Sequence, residues 1–194
     1  MIHNMKKKLT ALLVILFVIV SSILIIALPS LLGKDISHIK LTQELSLKRI
    51  LDKEQDLELV FFGYAGCRNI CTPRLEELGQ WYKTLSLQTQ AHLGLKFFDL
   101  SIPEDNTLPD SFVKAFHEDF EGIHLPKKTL LHYTREFSVY FSPSLIDEYE
   151  IDHSTHLYLV KKDANGKKHL RFIYTNFPYD LIQINTDIQT LLNE

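Results

Sequence analysis

Cys67 and Cys71 are the only cysteines among 194 residues, and they stand four apart in Phe61-Phe62-Gly63-Tyr64-Ala65-Gly66-Cys67-Arg68-Asn69-Ile70-Cys71-Thr72-Pro73. An isolated dithiol at this spacing can close a disulfide, reopen it, or hold a soft metal ion. Residues i and i+4 lie about 6 Å apart in a helical turn, within the Cα range of a disulfide. A purely structural bridge has little to recommend it, because closing a ring of about five residues gains only roughly 2 kcal/mol from chain entropy.

Zinc fits poorly, since a closed structural site wants four ligands and there is no second cysteine pair. Cu(I) needs fewer: it is soft and accepts two thiolates plus an imidazole in a trigonal arrangement. Such a dithiol lacks one nitrogen, and nine histidines could supply it. His92, His117, His124, His132 and His169 fall at helix ends or in surface-like contexts and read as ordinary polar residues. His153 differs. It sits in Ile151-Asp152-His153-Ser154-Thr155-His156, just before the strand-like Leu157-Tyr158-Leu159-Val160, with Asp152 beside it as a candidate orienting carboxylate. His156 would point to the opposite face of a regular strand, so only one of the two readily faces the cysteines.

The elements that must position these residues are legible on either side. Leu57-Glu58-Leu59-Val60-Phe61-Phe62-Gly63 is short, apolar and ends at a glycine, the pattern of a central strand. After the cysteines, Thr72-Pro73 predicts an N-cap and a proline at the first helical position, with Glu76 and Glu77 near the positive helix end. Leu75, Leu78, Tyr82 and Leu85 then share one helical face. The dithiol therefore lies where a strand hands over to a helix, a place that favours the thiolate.

Further on, Gly94 to Leu100 predicts a strand, Pro109 to His117 and Pro126 to Glu136 helices, and Phe137 to Phe141 a short strand. His156 to Lys161 and His169 to Tyr174 flank Asp163-Ala164-Asn165-Gly166, whose Asn-Gly step signals a hairpin. Pro178 to Leu192 closes the chain as a helix. This order predicts an α/β domain with a mixed central sheet and resembles thioredoxin.

The N-terminus sets the setting. Leu9 to Leu28 carries no charge, and twenty helical residues cover roughly 30 Å, the thickness of a bilayer core. No small-x-small cleavage pattern follows, which favours an uncleaved anchor over a cleaved signal peptide. Lys6, Lys7 and Lys8 precede the run and put the N-terminus in the cytoplasm, with His3 on the side away from the dithiol. The expected organisation is a cytoplasmic start at 1–8, a transmembrane anchor at 9–32, and a juxtamembrane linker at 33–54 with a short strand or helix around Leu41 to Leu51. One domain at 55–194 follows. With 24 Asp+Glu against 21 Lys+Arg, three of them in that N-terminal triplet, the exported part is net acidic and a nucleic-acid partner is not expected.

Taken in order, Val60-Phe61-Phe62-Gly63-Tyr64, the C-x3-C step, Leu75-Glu76-Glu77-Leu78, the stretch Phe112 to Phe120, Phe137-Ser138-Val139-Tyr140-Phe141, and Asp152-His153-Ser154 with Leu157-Tyr158-Leu159 resemble the Sco/SenC proteins over nearly all of residues 55 to 192. That resemblance implies a thioredoxin-like domain facing the periplasm or the intermembrane space. It implies copper, Cu(I) or Cu(II), bound by Cys67, Cys71 and His153, and delivery to the copper centre of cytochrome c oxidase or to another exported cuproprotein. The alternative is a thiol-disulfide oxidoreductase that reduces a partner's cysteine pair before metallation, with Cys67 attacking and Cys71 resolving. The family usually reads Cys-Pro-Asp-x-Cys-Pro. Here Arg68 and Asn69 replace the first proline and the acid, and the second proline slips to Pro73; Arg68 is expected to favour thiolate and to alter the docking surface.

Overall fold

The computed structural model describes residues 14–22, 37–46, 55–101, 108–145 and 150–194. It divides into two units, residues 1–36 and residues 37–194. In the first, 14–22 is helical (α1) and its apolar side chains Val14 to Val20 are exposed. Among the described residues no helix is long and apolar enough to cross a membrane. The remainder of the anchor expected at 9–32, and all of 1–8, lie outside the described residues.

The second unit is built on a six-stranded sheet in the order β1-β8-β7-β2-β3-β4. β2 (Leu57–Gly63), β3 (Leu93–Asp99) and β4 (Phe120–His124) run parallel, while β7 (Leu157–Lys162), β8 (Lys168–Tyr174) and β1 (His38–Leu45) extend it by antiparallel pairing. All seven residues of β2 are buried. That is what a central strand covered on both faces requires, and why it reads as a continuous apolar run. Alternation sends Leu57, Leu59 and Phe61 to one face, where they join Leu75, Leu78 and Tyr82 of α2 (Cys71–Tyr82) and Ile184 and Ile188 of α6 (Leu181–Leu192). Val60 and Phe62 go to the other, against Leu130 and Tyr133 of α5 (Lys127–Glu136). α3 (Leu87–His92) and α4 (Pro109–Lys114) complete the helices, and a separate two-stranded ribbon, β5 (Phe141–Pro143) with β6 (Ile151–His153), carries the downstream histidine. The fold is the mixed α/β, thioredoxin-like arrangement that the element order predicts.

Several local expectations change. The stretch expected as a linker at 33–54 contains β1, paired antiparallel to β8 and starting at His38, ahead of the short strand or helix expected around Leu41 to Leu51. α2 begins at Cys71, one residue before the expected cap, and Pro73 is its third residue, a position whose missing N–H would have had no partner within the helix. No acid lies in the first turn. Glu77 instead accepts a hydrogen bond from the backbone N–H of Tyr179 at 3.2 Å. Phe137 to Phe141 is not a strand throughout: Phe137 caps α5, Ser138 turns with φ 53°, and β5 starts only at Phe141. Phe137 packs its ring against Phe62 and Tyr158, so burial at a helix end wins over period-two alternation.

Candidate metal centre

Gly63, the last residue of β2, is where the site begins. A Cβ there would stand 2.6 Å from Cys71 Sγ and 2.9 Å from the Phe97 ring, so glycine lets a sulfur of α2 lie directly on the strand end. The chain then turns through Ala65 and Gly66, the latter at φ +91°. Cys67 N–H donates to the Tyr64 carbonyl at 3.2 Å, and the Cys67 carbonyl accepts from Thr72 N–H at 3.1 Å and Thr72 Oγ1 at 2.8 Å.

No side chain caps α2 in the usual way. Cys67 Sγ takes that role in part, accepting from the backbone N–H of Cys71 at 3.3 Å. A sulfur held at the positive end of a helix is stabilised as thiolate. The proton shared with Cys71 lowers the Cys67 thiol far below its ordinary value, against the effect of burial; hydrogen bonds from the backbone of Cys71 and Ile70 lower it further. Cys71 moves the other way, because it donates to Cys67 and is buried. The shared proton is thus drawn toward Cys71 and the negative charge toward Cys67, whose sulfur sits at the helix N-terminus. Both residues are free cysteines, exposed by only 1% and 0%.

His153 arrives from β6. Its Nε2 is 3.7 Å from Cys71 Sγ, and the donor atoms of Cys67, Cys71 and His153 all lie within 4.8 Å of one another. Nδ1 is 2.9 Å from the Ser154 carbonyl, which can only accept, so Nδ1 carries the proton and Nε2 turns a lone pair toward the sulfurs. Asp152, expected to orient the ring, is exposed, and the contact that orients it is this carbonyl. Two soft sulfurs and one imidazole nitrogen suit a low-coordinate soft cation.

The other described histidines make their contacts elsewhere. His92 meets Asp56, His124 meets Asp99, His169 meets Asp163, His132 meets Ser46, and His117 packs on Tyr82 and Phe120. His38 stacks on Phe172 and Tyr174 and pairs with Asp187 at 2.9 Å. His156 packs edge-on against Tyr158, with ring centroids 6.2 Å apart; burial, then the charge of Arg74, lowers its pKa.

Two further groups shape the site that sequence reading did not single out. Arg74, one turn beyond Cys71, lies 4.4 Å from the centre of the Phe177 ring and donates to the Ile70 carbonyl and to Thr155 Oγ1. Its charge acts to lower Cys71, whereas Arg68, the cation expected to do so, is exposed. Tyr64, exposed by 7%, donates its hydroxyl to Glu150 and meets the His153 ring edge-on, with centroids 6.0 Å apart. Burial first, then the Glu150 bond, raise the phenol well above its ordinary value and keep it a donor. A tyrosine after a strand-ending glycine gives no such signal in one dimension.

The SCO1/SenC family model matches residues 52–185. The chain belongs to the SCO1/SenC family. Among its relatives, Protein SCO2 homolog, mitochondrial, of Mus musculus is 31% identical over 111 residues, 55% of this chain and 44% of that protein. Protein SCO1, mitochondrial, of Saccharomyces cerevisiae is 27% identical over 126 residues, 62% of this chain and 42% of that protein. The chain thus spans less than half the length of these two SCO relatives. The apo Sco1 protein of Thermus thermophilus superposes with a TM-score of 0.62 at 21% identity, covering 80% of this chain and 93% of that one. Copper-bound ScoI of Arabidopsis thaliana gives 0.57 at 17% identity, over 72% and 86%. These likenesses establish the Sco fold.

Proposed function

We propose that this SCO1/SenC chain is a membrane-anchored copper chaperone, binding Cu(I) or Cu(II) through Cys67, Cys71 and His153 and handing it to an oxidase subunit or another exported cuproprotein. The observation that carries the reading is the convergence of the Cys67 and Cys71 sulfurs with His153 Nε2, whose lone pair is directed by the Ser154 carbonyl. Copper is cargo here. The helix end and the shared proton favour the thiolate on Cys67, and binding draws the remaining proton from the pair as the ion arrives. Relatives in the family support the metal, since yeast Sco1 and Arabidopsis ScoI were both determined with copper bound. Anchoring by 9–32, with the domain in the periplasm or intermembrane space, is part of the proposal and rests on the uncharged N-terminal run and the lysines before it. The copper centre of cytochrome c oxidase is the recipient that the family resemblance favours.

The Cys67 thiolate beside the Cys71 thiol favours a second reading, reduction of a partner disulfide. Cys67 would attack, Cys71 would resolve, and this pair would leave as the disulfide while the partner gains two thiols. Burial of both sulfurs weighs against it as the main role, because an attacking thiolate needs access.

The test is to load the reduced full chain in detergent with copper. Near-stoichiometric binding with sulfur-to-copper charge-transfer absorption is expected. No binding, together with a covalent mixed disulfide trapped by Cys71→Ser, would replace the chaperone reading with the exchange one.

A further inference from the structure

The ribbon that brings His153 to the cysteines is not part of the six-stranded sheet. Among the described residues β5 and β6 pair over Phe141↔His153, Ser142↔Asp152 and Pro143↔Ile151. Ile151 and Phe141 reach the core as partly buried side chains, and Ser154 N–H donates to the Tyr140 carbonyl. Little of the sheet's ladder therefore fixes where the imidazole stands. A different contact does so from the cysteine side. Tyr64 leaves the end of β2 three residues before Cys67, donates its hydroxyl to the Glu150 carboxylate, and lays its ring perpendicular to that of His153, at 89°. Glu150 directly precedes β6, and its own carbonyl accepts from Ser144 N–H at 2.9 Å, which closes the ribbon.

We infer that Tyr64 and Glu150 form a latch that holds the His153 ribbon against the dithiol, making both positioning residues for the third copper donor. The inference deepens the copper reading proposed above and rests on it for its consequence. With the latch shut, the ion has two sulfurs and a nitrogen. With it open, the ribbon swings free and leaves the ion on the two sulfurs, the state from which an incoming ligand set removes it by ligand exchange without electron transfer. The Ser154 carbonyl sets the turn of the imidazole within the ribbon, and the Tyr64 ring contact and hydroxyl bond hold the ribbon, and so that imidazole, against the dithiol.

The test uses the full chain in detergent and three variants, Tyr64→Phe, Glu150→Ala and Glu150→Gln. Cu(I) affinity is measured by competition with a chromophoric chelator, Cu(II) charge-transfer absorption is recorded, and amide hydrogen exchange at 151–154 is followed without metal. Tyr64→Phe and Glu150→Ala should each weaken Cu(I) by about tenfold, in the range seen when groups that orient a metal ligand are removed. Both should also shift the absorption band and speed exchange at 151–154. The double variant should be no worse than either single, and Glu150→Gln, which keeps an acceptor, should recover part of the loss. On a His153→Ala background Tyr64→Phe should change nothing further. Should Tyr64→Phe melt early, Glu150→Gln against Glu150→Ala carries the comparison instead. An unchanged affinity and band in Tyr64→Phe, or an effect that persists without His153, overturns the latch. A wild-type chain that binds no copper, while exchange at 151–154 still speeds in Tyr64→Phe, overturns the copper reading and leaves the latch standing.

Discussion

A side-chain carbon on Gly63 would stand 2.6 Å from the sulfur of Cys71. The closeness records how the site is assembled: the first turn of α2 is pressed onto the end of β2, and the glycine makes room. The neighbouring Phe97 ring, fully buried, blocks the alternative of moving the strand. Gly63→Ala should therefore displace Cys71 and cost roughly 1–3 kcal/mol of stability, the range for overpacking a filled core. Denaturant melts should show that loss, and copper affinity should fall with it. An alanine variant with wild-type stability and affinity would mean that α2 is free to retreat.

The opposite displacements of the two thiols make stability depend on pH in both directions. Cys67, lowered from 9.0, binds fewer protons when folded, so between its depressed value and 9.0 the folded state gains stability as pH rises. Cys71, raised from 9.0, holds its proton when folded, so above 9.0 stability is lost as pH rises. Metal-free melts of wild type should show both limbs, and either Cys67→Ser or Cys71→Ser, by removing the partner on which the other shift chiefly depends, should flatten both. Thiolate absorbance should report one ionised sulfur per chain well below the usual thiol range. Two ordinary thiol titrations near 9.0 would contradict this.

Arg74 is the cation nearest the sulfurs in effect, held by Phe177. Arg74→Ala should lose about 0.5–2 kcal/mol from the cation–π contact and should weaken Cu(I) several-fold, because a bound ion with two thiolates carries a net negative charge. Arg74→Lys keeps the charge and should restore affinity more than stability. Chelator competition and thermal melts separate the two effects.

Asp152→Asn should leave copper affinity within about twofold of wild type, since the ring is oriented by a backbone carbonyl and such second partners matter only where they touch the ligand. A tenfold loss would show the carboxylate reaching Nδ1 in solution.

How much of this was legible in the sequence depended on whether the signal was local. β2, the Asn165-Gly166 hairpin between β7 and β8, and the strand-to-helix position of the dithiol follow from short apolar runs and turn residues, and the structure has them within a residue or two. Cys67, Cys71 and His153, whose side-chain atoms lie within 4.8 Å of one another, are expected together because a soft ion on a sulfur pair needs a nitrogen and His153 stands just before a strand, where the family resemblance also puts it. β4 gives no local strand signal because Phe120-Glu121-Gly122-Ile123-His124 lacks an apolar run, and its glycine is needed where Pro109 backbone would lie 2.1 Å from a Cβ. β1 is an edge strand whose mixed face carries little periodic signal. Tyr64 with Glu150, and Arg74 with Phe177, are contacts across 86 and 103 residues, which no window along the chain can contain.

The central claim is that His153 Nε2 completes a set with the sulfurs of Cys67 and Cys71. X-ray absorption of the reduced, Cu(I)-loaded full chain tests it most directly. Two sulfur scatterers and one imidazole nitrogen are predicted, with the nitrogen lost in His153→Ala; a spectrum of sulfur alone, or one that His153→Ala leaves unchanged, would contradict it.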